Sequence, residues 1–280
     1  MLAAIPSPSS GSIEIGSLEL RAYGLMIALG VLAAIWLSQR RWVARGGTKE
    51  QITQIAVWAV PAGVIGARAY HVLTDWRRFH YDDGWGEAFA IWKGGLGIPG
   101  GMTVGILVGL WVAHRQSRKA SALDDAIDTP APLTARDAAD AIAPALPLAQ
   151  AIGRLGNWFN QELFGHPTDL PWALEIDASH RPVDYLNNPT FHPTFLYEGI
   201  WNIALCIMLI MIDRTQKLRS GALLAVYALG YGIGRLWIEA LRSDQASLLA
   251  GVRINIWMSL LLILTSTLYL FYTHRPQSVT

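Results

Sequence analysis

The stretch IGRLGNWFNQELFG, at residues 152–165, places strongly polar side chains directly after a run of alanine, leucine and proline. The set consists of one guanidinium, three amides and one carboxylate: Arg154, Asn157, Asn160, Gln161 and Glu162. A guanidinium binds phosphate through two parallel hydrogen bonds, and amides offer neutral donors and acceptors to hydroxyls or ester carbonyls. The stretch therefore predicts a binding site for a polar ligand that carries an anionic group.

A second polar set lies near the end of the apolar run at 222–241. Tyr231, Arg235, Glu239 and Arg242 are spaced by four, four and three residues, so on a helix they share one face. An arginine in a membrane centre costs at least about 2.5–3.5 kcal/mol, a cost that a partner usually offsets. One interpretation is a scaffold in which Glu239 pairs with Arg235 or Arg242, and the other is a site that uses both arginines.

Composition indicates that these side chains belong to a membrane protein. Of the 280 residues, 52% are hydrophobic and 15% are charged, whereas soluble domains are about 25% charged. The net charge of +1 indicates no nucleic-acid partner. Cys206 is the only cysteine, which excludes an intrachain disulfide framework and a CxxC site. The sequence shows no metal-ligand cluster, so no metal is expected. Residues 1–10 lack the basic start of a signal peptide and are expected to form a short disordered lead.

Seven apolar runs are candidates for membrane helices, which need about 20 mostly apolar residues. They lie at residues 23–37, 52–73, 96–113, 138–152, 194–212, 222–241 and 254–272. The fourth run is the weakest because it contains Asp140, Pro144 and Pro147. We expect it to be kinked or partly re-entrant and to be packed against other helices.

The basic residues of the short loops give the orientation, because Lys and Arg mark the cytoplasmic side. They are Arg40, Arg41, Arg45 and Lys49, then Arg115, Arg118, Lys119 and Arg136, then Arg214, Lys217 and Arg219, with Arg275 in the tail. The predicted fold is an all-α integral membrane protein of seven transmembrane helices, with the N-terminus outside and the C-terminus cytoplasmic.

This topology predicts the limits of four segments. Residues 1–20 form an N-terminal extracytoplasmic lead, 21–275 form the membrane domain, and 276–280 form a cytoplasmic tail. Within the membrane domain, 157–193 form a small extracytoplasmic lobe between spans four and five, with a short strand in the segment PWALEID.

Glycines recur every fourth residue in the third span, at Gly97, Gly101, Gly105 and Gly109. They share one helix face, which predicts close packing against another helix. The alternative is a functional one, in which these glycines border a lipid-sized cleft. Residues 95–100 also match G-x-G-x-x-G, but the motif opens an apolar span and no acidic residue follows until Asp124. A dinucleotide site is therefore excluded.

The predicted topology brings the intramembrane polar residues of separate spans to one leaflet. They are Tyr23, Arg68, Tyr70, His71, Arg154, Asn157, His192, Tyr197, Glu198, Tyr231, Arg235, Glu239 and Arg242. The positive charges of Arg68, Arg154, Arg235 and Arg242 exceed the negative charges of Glu162, Glu198 and Glu239. This excess suits the anionic head group of a phospholipid in the outer leaflet, with Asn157 and Asn160 binding its glycerol hydroxyls or ester carbonyls.

Several motifs together resemble those of the prolipoprotein diacylglyceryl transferase family. They are GRLGNWFNQELFG at 153–165, RAYGLM at 21–26, GAR at 66–68, HPTFLYE at 192–198, YGIGR at 231–235 and Glu239. The resemblance covers most of the chain in the right order. It implies transfer of the sn-1,2-diacylglyceryl group of phosphatidylglycerol to the lipobox cysteine thiol of a preprolipoprotein, with release of glycerol 1-phosphate. This is the first step of lipoprotein maturation in the bacterial plasma membrane, and it implies no cofactor.

The resemblance also implies roles for residues. Arg154 and Arg235 match arginines that bind the head-group phosphate and stabilise the departing phosphate ester. Glu239 matches the carboxylate that positions the second arginine. The donor-binding set is Tyr23, Arg68, Arg154, Asn157, Asn160, Glu162 and Arg235, and the catalytic set is Arg154, His192, Tyr231, Arg235 and Glu239.

One position departs from the family pattern. Many relatives carry a histidine in the third-span motif, where this chain has Pro99. Either another group takes the thiol proton, with His192, His71 and Tyr231 as candidates, or no side-chain base is needed, because a thiol of pKa about 8.5 needs little help beside guanidinium groups.

Three other classes of function fit the sequence less well. A transporter or channel needs polar residues along the whole depth of the membrane, and the inner halves of the spans are nearly uncharged. An acyltransferase or phosphatidyltransferase would be expected to carry an H-x₄-D pair or an aspartate-rich metal motif at the outer leaflet. A scaffold that only binds lipoproteins would not need Arg154 for chemistry.

Overall fold

The computed structural model describes residues 4–15, 18–77, 79–80, 84–91, 95–124, 133–215, 218–244 and 248–273. Within these ranges the chain is mostly helical, with eight α-helices. They are α1 (Ala22–Val43), α2 (Lys49–Thr74), α3 (Ile98–Asp124), α4 (Ala135–Ile142), α5 (Ala145–Phe159), α6 (Thr194–Thr215), α7 (Ala222–Leu241) and α8 (Ile254–Thr273). The described residues also form three antiparallel strand pairs: β1 (Ser12–Ile15) with β2 (Leu18–Arg21), β3 (Leu174–Glu175) with β4 (Thr190–Phe191), and β5 (Leu248–Leu249) with β6 (Val252–Arg253).

Four of the helices in the described part of the chain are long and apolar enough to cross a membrane: α1, α2, α6 and α8. Large apolar side chains on them are exposed, such as Leu32 at 61% and Leu264 at 56%, as expected where a helix faces lipid rather than water. Helix α7 is outside this set, and it contains Arg235 and Glu239, which lower its hydropathy. The structure is consistent with an all-α membrane protein.

The fourth apolar run is broken, as its prolines predicted. Helix α4 ends at Ile142 and α5 begins at Ala145, with Pro144 at the N-cap of α5. Proline lacks a backbone N–H and clashes with the preceding turn. The buried Asp140 has a structural partner, because its carboxylate accepts the backbone N–H groups of Gly221 (2.7 Å) and Leu224 (2.9 Å) at the start of α7. It thus satisfies donors that a helix N-terminus leaves unpaired.

The chain divides into two compact units, Ser38–Ala138 and the combination of Met1–Leu37 with Ala139–Thr280. In the unit Ser38–Ala138, α2 and α3 pack through glycines. A Cβ atom on Gly101 would lie 3.2 Å from the carbonyl oxygen of Gly63, and one on Gly66 would lie 2.6 Å from that of Gly100. The predicted close packing of the glycine face is confirmed.

In the other unit, α6 packs on α5 and α7, and α8 packs on α7. A core of Ala143, Leu205, Leu209 and Leu223 joins the start of α7 to the later turns of α6. Because Ala143 precedes α5 and Leu209 lies late in α6, these two helices run in opposite directions. The end of α5 and the start of α6 therefore lie together.

A small lobe with its own core connects α5 to α6. Phe164, Leu174, Ile176 and Phe191 pack together with Phe195 of α6, and β3 falls within the strand predicted for PWALEID. The lead was predicted to be disordered, and this is wrong for its described part. The backbone N–H of Ile5 donates to Ala173 at 2.7 Å and that of Glu175 donates to Ile5 at 2.9 Å, so the segment is held beside β3. The predicted tail at 276–280 lies outside the described residues.

Candidate active site

The signature stretch forms the last turns of α5 and the loop that follows. The Arg154 Nη1 group donates to Asn157 Oδ1 at 3.1 Å. The Asn157 and Asn160 amides both donate to Glu162 Oε1, at 2.7 and 3.3 Å. Asn157 is buried and links the guanidinium to the carboxylate. Four of the residues predicted to bind the donor thus form one connected group.

The loop around Glu162 adopts an unusual backbone. Gln161 and Leu163 have φ values of 51° and 58°, a left-handed conformation that costs other residues than glycine about 1–3 kcal/mol and persists where surrounding structure holds it. Buried Gln161 supplies that support, since its amide donates to Asp177 Oδ2 (2.6 Å) and accepts from the Asp177 backbone N–H (2.9 Å). A polar cavity of about 290 Å³ opens beside Glu162, between this loop and residues 8–11.

Glu198, in the first turns of α6, joins the two arginines that the sequence singled out. Its Oε1 accepts a hydrogen bond from Arg154 Nη2, and its Oε2 lies 3.6 Å from Arg235 Nη1. The residue is 5% exposed. One buried carboxylate therefore holds guanidiniums from α5 and α7 on either side of itself.

Glu239 holds the other side of Arg235. Its Oε2 lies 2.8 Å from Arg235 Nη2, and its Oε1 accepts from Arg253 Nε at 2.6 Å and from Asn255 Nδ2 at 3.2 Å. The residue is 1% exposed, and a carboxylate so buried requires such compensation. The predicted pairing with Arg235 is confirmed, and the second partner is Arg253 rather than Arg242.

Arg242 does not extend the polar face of α7 as predicted, because the helix ends at Leu241. Arg242 has an extended backbone (φ −79°, ψ 138°) and pairs with Asp244 through Nε (2.6 Å) and Nη2 (2.7 Å). Asp244 also receives Arg253 Nη2 at 3.2 Å. Partial burial would raise the pKa of Asp244, but the bonds and charges of these two arginines hold the pKa of that carboxyl below its usual value.

The predicted excess of positive charge is wrong for this network. Its guanidiniums are those of Arg154, Arg235, Arg242 and Arg253, and its carboxylates those of Glu162, Glu198, Glu239 and Asp244. The sequence count included Arg68, which belongs to the other unit, and lacked Arg253 and Asp244. A local excess remains, because Arg154 and Arg235 share Glu198 and Glu239 is itself shared with Arg253.

The two predicted tyrosines have different surroundings. Tyr23 is the second residue of α1 and packs on α5, where a Cβ atom on Gly156 would lie 2.8 Å from its ring. Tyr231 lies one turn before Arg235, and its ring centroid is 6.0 Å from that of Tyr227. Gln150 of α5 donates to the Tyr227 hydroxyl at 2.9 Å.

His192 contacts aromatic residues rather than the arginines in the contacts that the structure describes. Its Nδ1 lies 3.2 Å from the Tyr197 hydroxyl, which also accepts from Trp172 Nε1 at 2.9 Å. Burial, and to a smaller extent the nearby His166, lower the pKa of His192 below its usual value. The imidazole is therefore neutral near pH 7 and able to accept a proton.

Arg68 lies in the unit Ser38–Ala138, where it supports the segment that follows α2. Its guanidinium donates to the backbone carbonyls of Ala88 (2.9 Å), Glu87 (2.5 Å) and Gly95 (3.1 Å), and it lies over the ring of Phe79. His71 is in the same unit, 3.6 Å from Asp75. Pro99 is the second residue of α3, in that unit.

A family model described as prolipoprotein diacylglyceryl transferase matches residues 11–272. The chain belongs to this family. A Streptomyces griseus protein named phosphatidylglycerol–prolipoprotein diacylglyceryl transferase is 46% identical over 270 residues, which are 96% of this chain and 77% of the relative. A Rhodococcus jostii protein of the same name is 44% identical over 284 residues, covering 97% of this chain and 75% of the relative. The resemblance stated from the motifs is confirmed, and with it the class of enzyme, a transferase.

The sequence patterns did not identify the residues that connect the network. Glu198 was counted among the carboxylates of the outer half but was given no role, although its place in HPTFLYE beside the start of a helix was a signal. Arg253, Asp244 and Asn255 were missed because they follow α7 in a loop and at the start of α8, where no periodic pattern draws attention to them.

Proposed function

We propose that this chain transfers the sn-1,2-diacylglyceryl group of phosphatidylglycerol to the lipobox cysteine thiol of preprolipoproteins. The names of its relatives support both substrate classes. The reaction forms a bond between the cysteine sulfur and carbon 3 of the lipid glycerol, and it breaks the bond from that carbon to a phosphate oxygen. Glycerol 1-phosphate leaves with the electron pair of that bond and takes up the thiol proton, directly or through a base.

The observation that carries the proposal is the sharing of Glu198 by Arg154 and Arg235. Arg154, Arg235 and Arg253 carry three positive charges against the two negative charges of Glu198 and Glu239 that they share, and a phosphodiester carries one negative charge. The guanidiniums of Arg154 and Arg235 come from different helices, so they approach a phosphate from two sides. They stabilise the second negative charge that develops on the phosphate as the carbon–oxygen bond breaks, and Glu239 positions Arg235.

The neighbouring residues bind the rest of the donor. Tyr23, Asn157, Asn160 and Glu162 contact the glycerol head group, whose hydroxyls suit the polar cavity beside Glu162. Arg68 supports the segment after α2 in the other unit, and its part in donor binding stays a prediction from the sequence.

The nucleophile comes with the substrate. Cys206 is buried within α6 at 6% exposure, which suits a core residue rather than a reactive thiol. His192, with its lowered pKa, takes the thiol proton, and Tyr231 and His71 are the alternatives. We further propose seven transmembrane helices, with the N-terminus outside and the C-terminus cytoplasmic, and a site at the outer leaflet of the bacterial plasma membrane, where exported cysteines reach it.

The test is a transfer assay with purified protein, phosphatidylglycerol and a lipobox peptide. We expect a thioether-linked diacylglyceryl peptide and an equal amount of glycerol phosphate, measured by mass spectrometry. A peptide with serine in place of the cysteine is the control and should remain unmodified. Transfer from phosphatidylethanolamine but not from phosphatidylglycerol would contradict the proposed identity of the donor lipid. The absence of a thioether product with either lipid would contradict the proposed reaction.

A further inference from the structure

A second layer of polar side chains, all uncharged, lies one helical turn from the arginines. Gln150 precedes Arg154 by four residues in α5, Asn202 follows Glu198 by four in α6, and Tyr231 precedes Arg235 by four in α7. Helix α6 begins where α5 and α7 end. Each of the three residues therefore lies about 6 Å further toward the middle of its helix than the charged residue it is compared with. The hydrogen bond from Trp201 Nε1 to the Gly230 carbonyl (3.0 Å) joins α6 and α7 at this level.

Two amides of this layer have unused hydrogen-bonding capacity. Asn202 is 1% exposed, and neither its Nδ2 nor its Oδ1 has a partner among the described residues. Gln150 donates through Nε2 to Tyr227, but its buried Oε1 has no partner among those residues either. Buried polar groups are nearly always paired because an unmade bond is costly. Such groups at one level indicate a polar ligand without charge.

The donor lipid itself supplies such groups next to its phosphate. Only the glycerol carbons and the bridging ester oxygens separate the phosphate of phosphatidylglycerol from its two ester carbonyls, which accept hydrogen bonds. We propose that Asn202 and Gln150 bind these ester carbonyls, an inference that rests on the proposed function because Arg154 and Arg235 must hold the phosphate.

Each amide offers its NH₂ group to a carbonyl. The Tyr227 hydroxyl both donates and accepts, so Gln150 can turn its NH₂ group to the ligand and keep that bond. The Oδ1 of Asn202 takes one further donor, such as a water molecule beside the ester.

The contact is one of recognition rather than chemistry. Transfer breaks only the bond between glycerol carbon 3 and the phosphate oxygen, so the ester groups pass intact to the product. An ether-linked phosphatidylglycerol with the same chains keeps every reacting atom and lacks only the carbonyls. Comparing the two lipids therefore isolates the proposed contact.

The experiment measures lipid binding and transfer separately, with the full chain in detergent and with ester- and ether-linked phosphatidylglycerol as probes. We expect wild-type protein to bind the ester lipid about tenfold more tightly, the effect of one or two buried hydrogen bonds. In Asn202→Leu the preference should fall to about threefold, because Gln150 keeps its own bond, and the change should come from weaker binding of the ester lipid alone. Gln150→Leu provides the second variant if Asn202→Leu does not fold.

Ser266→Ala in α8 is the matched control. This variant also removes a buried polar group, but the Ser266 hydroxyl already donates to the Leu262 carbonyl of its own helix. The preference for the ester lipid should therefore stay near tenfold. Equal binding of both lipids by wild-type protein, or an unchanged preference in folded Asn202→Leu, would overturn the inference. A preference in binding without any thioether product would overturn the proposed function and leave the inference standing.

Discussion

At the scale of single side chains, the proposed chemistry depends most on Glu198. Among the described residues, its carboxylate forms ion pairs with both Arg154 and Arg235. Neither guanidinium is rigid by itself, because arginine has a long, flexible stem. Glu198 therefore fixes the distance between the two groups that we propose bind the phosphate.

Glu198→Gln should lower kcat/KM for phosphatidylglycerol about a hundredfold. The amide keeps the shape but loses the charge that aligns the arginines, and small misplacements of catalytic groups cost about this much. Glu175→Gln, an exposed carboxylate on β3, should keep wild-type kinetics. A variant Glu198→Gln that is folded and fully active would show that the bridge has no part in transfer.

The pH dependence of transfer tests His192 as the base. The base must be unprotonated, and burial lowers its pKa below 6.5, so kcat/KM should fall as the pH drops through a value below 6.5. His192→Gln should lower the rate about 10²–10⁴-fold, the usual contribution of a general base, and should abolish this acidic limb. If the acidic limb of the pH profile is unchanged in that variant, His192 is not the base, and Tyr231, His71 or no side chain takes the thiol proton.

Helices position these side chains, and glycines set how closely the helices approach. In the unit Ser38–Ala138, α2 and α3 cross at Gly66 and Gly100, where an added Cβ would meet backbone. In α1, a Cβ on Gly24 would meet nothing within 4 Å. The same substitution should therefore have opposite effects at these two helical positions.

Gly66→Ala should lower the unfolding free energy by about 1–3 kcal/mol, because the helices must separate. Gly24→Ala should leave it unchanged or raise it by up to about 1 kcal/mol, because alanine favours the helix. Thermal unfolding in the same detergent compares the two variants. Equal midpoints would mean that the contact of Gly66 with α3 does not limit how closely the two helices pack.

At the scale of the whole molecule, the sequence predicted what depends on local pattern. Apolar runs are continuous in the chain, so six of the seven predicted spans match single helices. The fourth predicted span is broken at Pro144, as its prolines predicted. The pairing of Ile5 with the backbone of Ala173 and Glu175, and of Arg253 with Glu239, depends on tertiary contacts that no local pattern encodes. The predicted excess of positive charge was wrong for the same reason, because Asp244 and Arg253 join the network only once the chain has folded.

The predicted topology has its own test in a chain that lacks Cys206. In Cys206→Ala, a cysteine introduced at Ser10 should react with a membrane-impermeant maleimide in intact cells. One introduced at Arg45 should react only after the membrane is made permeable, because basic loops stay in the cytoplasm. The reverse pattern would invert the orientation and remove the site from the outer leaflet.

The central claim is that Arg154 and Arg235 act together on the donor phosphate, and a double-mutant cycle tests it directly. Arg154→Ala and Arg235→Ala should each lower kcat/KM for thioether formation about 10²–10³-fold, while Arg214→Ala, an exposed arginine at the end of α6, should not. The double variant should be little worse than either single one, because groups that act as a unit are not additive. Wild-type rates in both folded single variants would contradict the account.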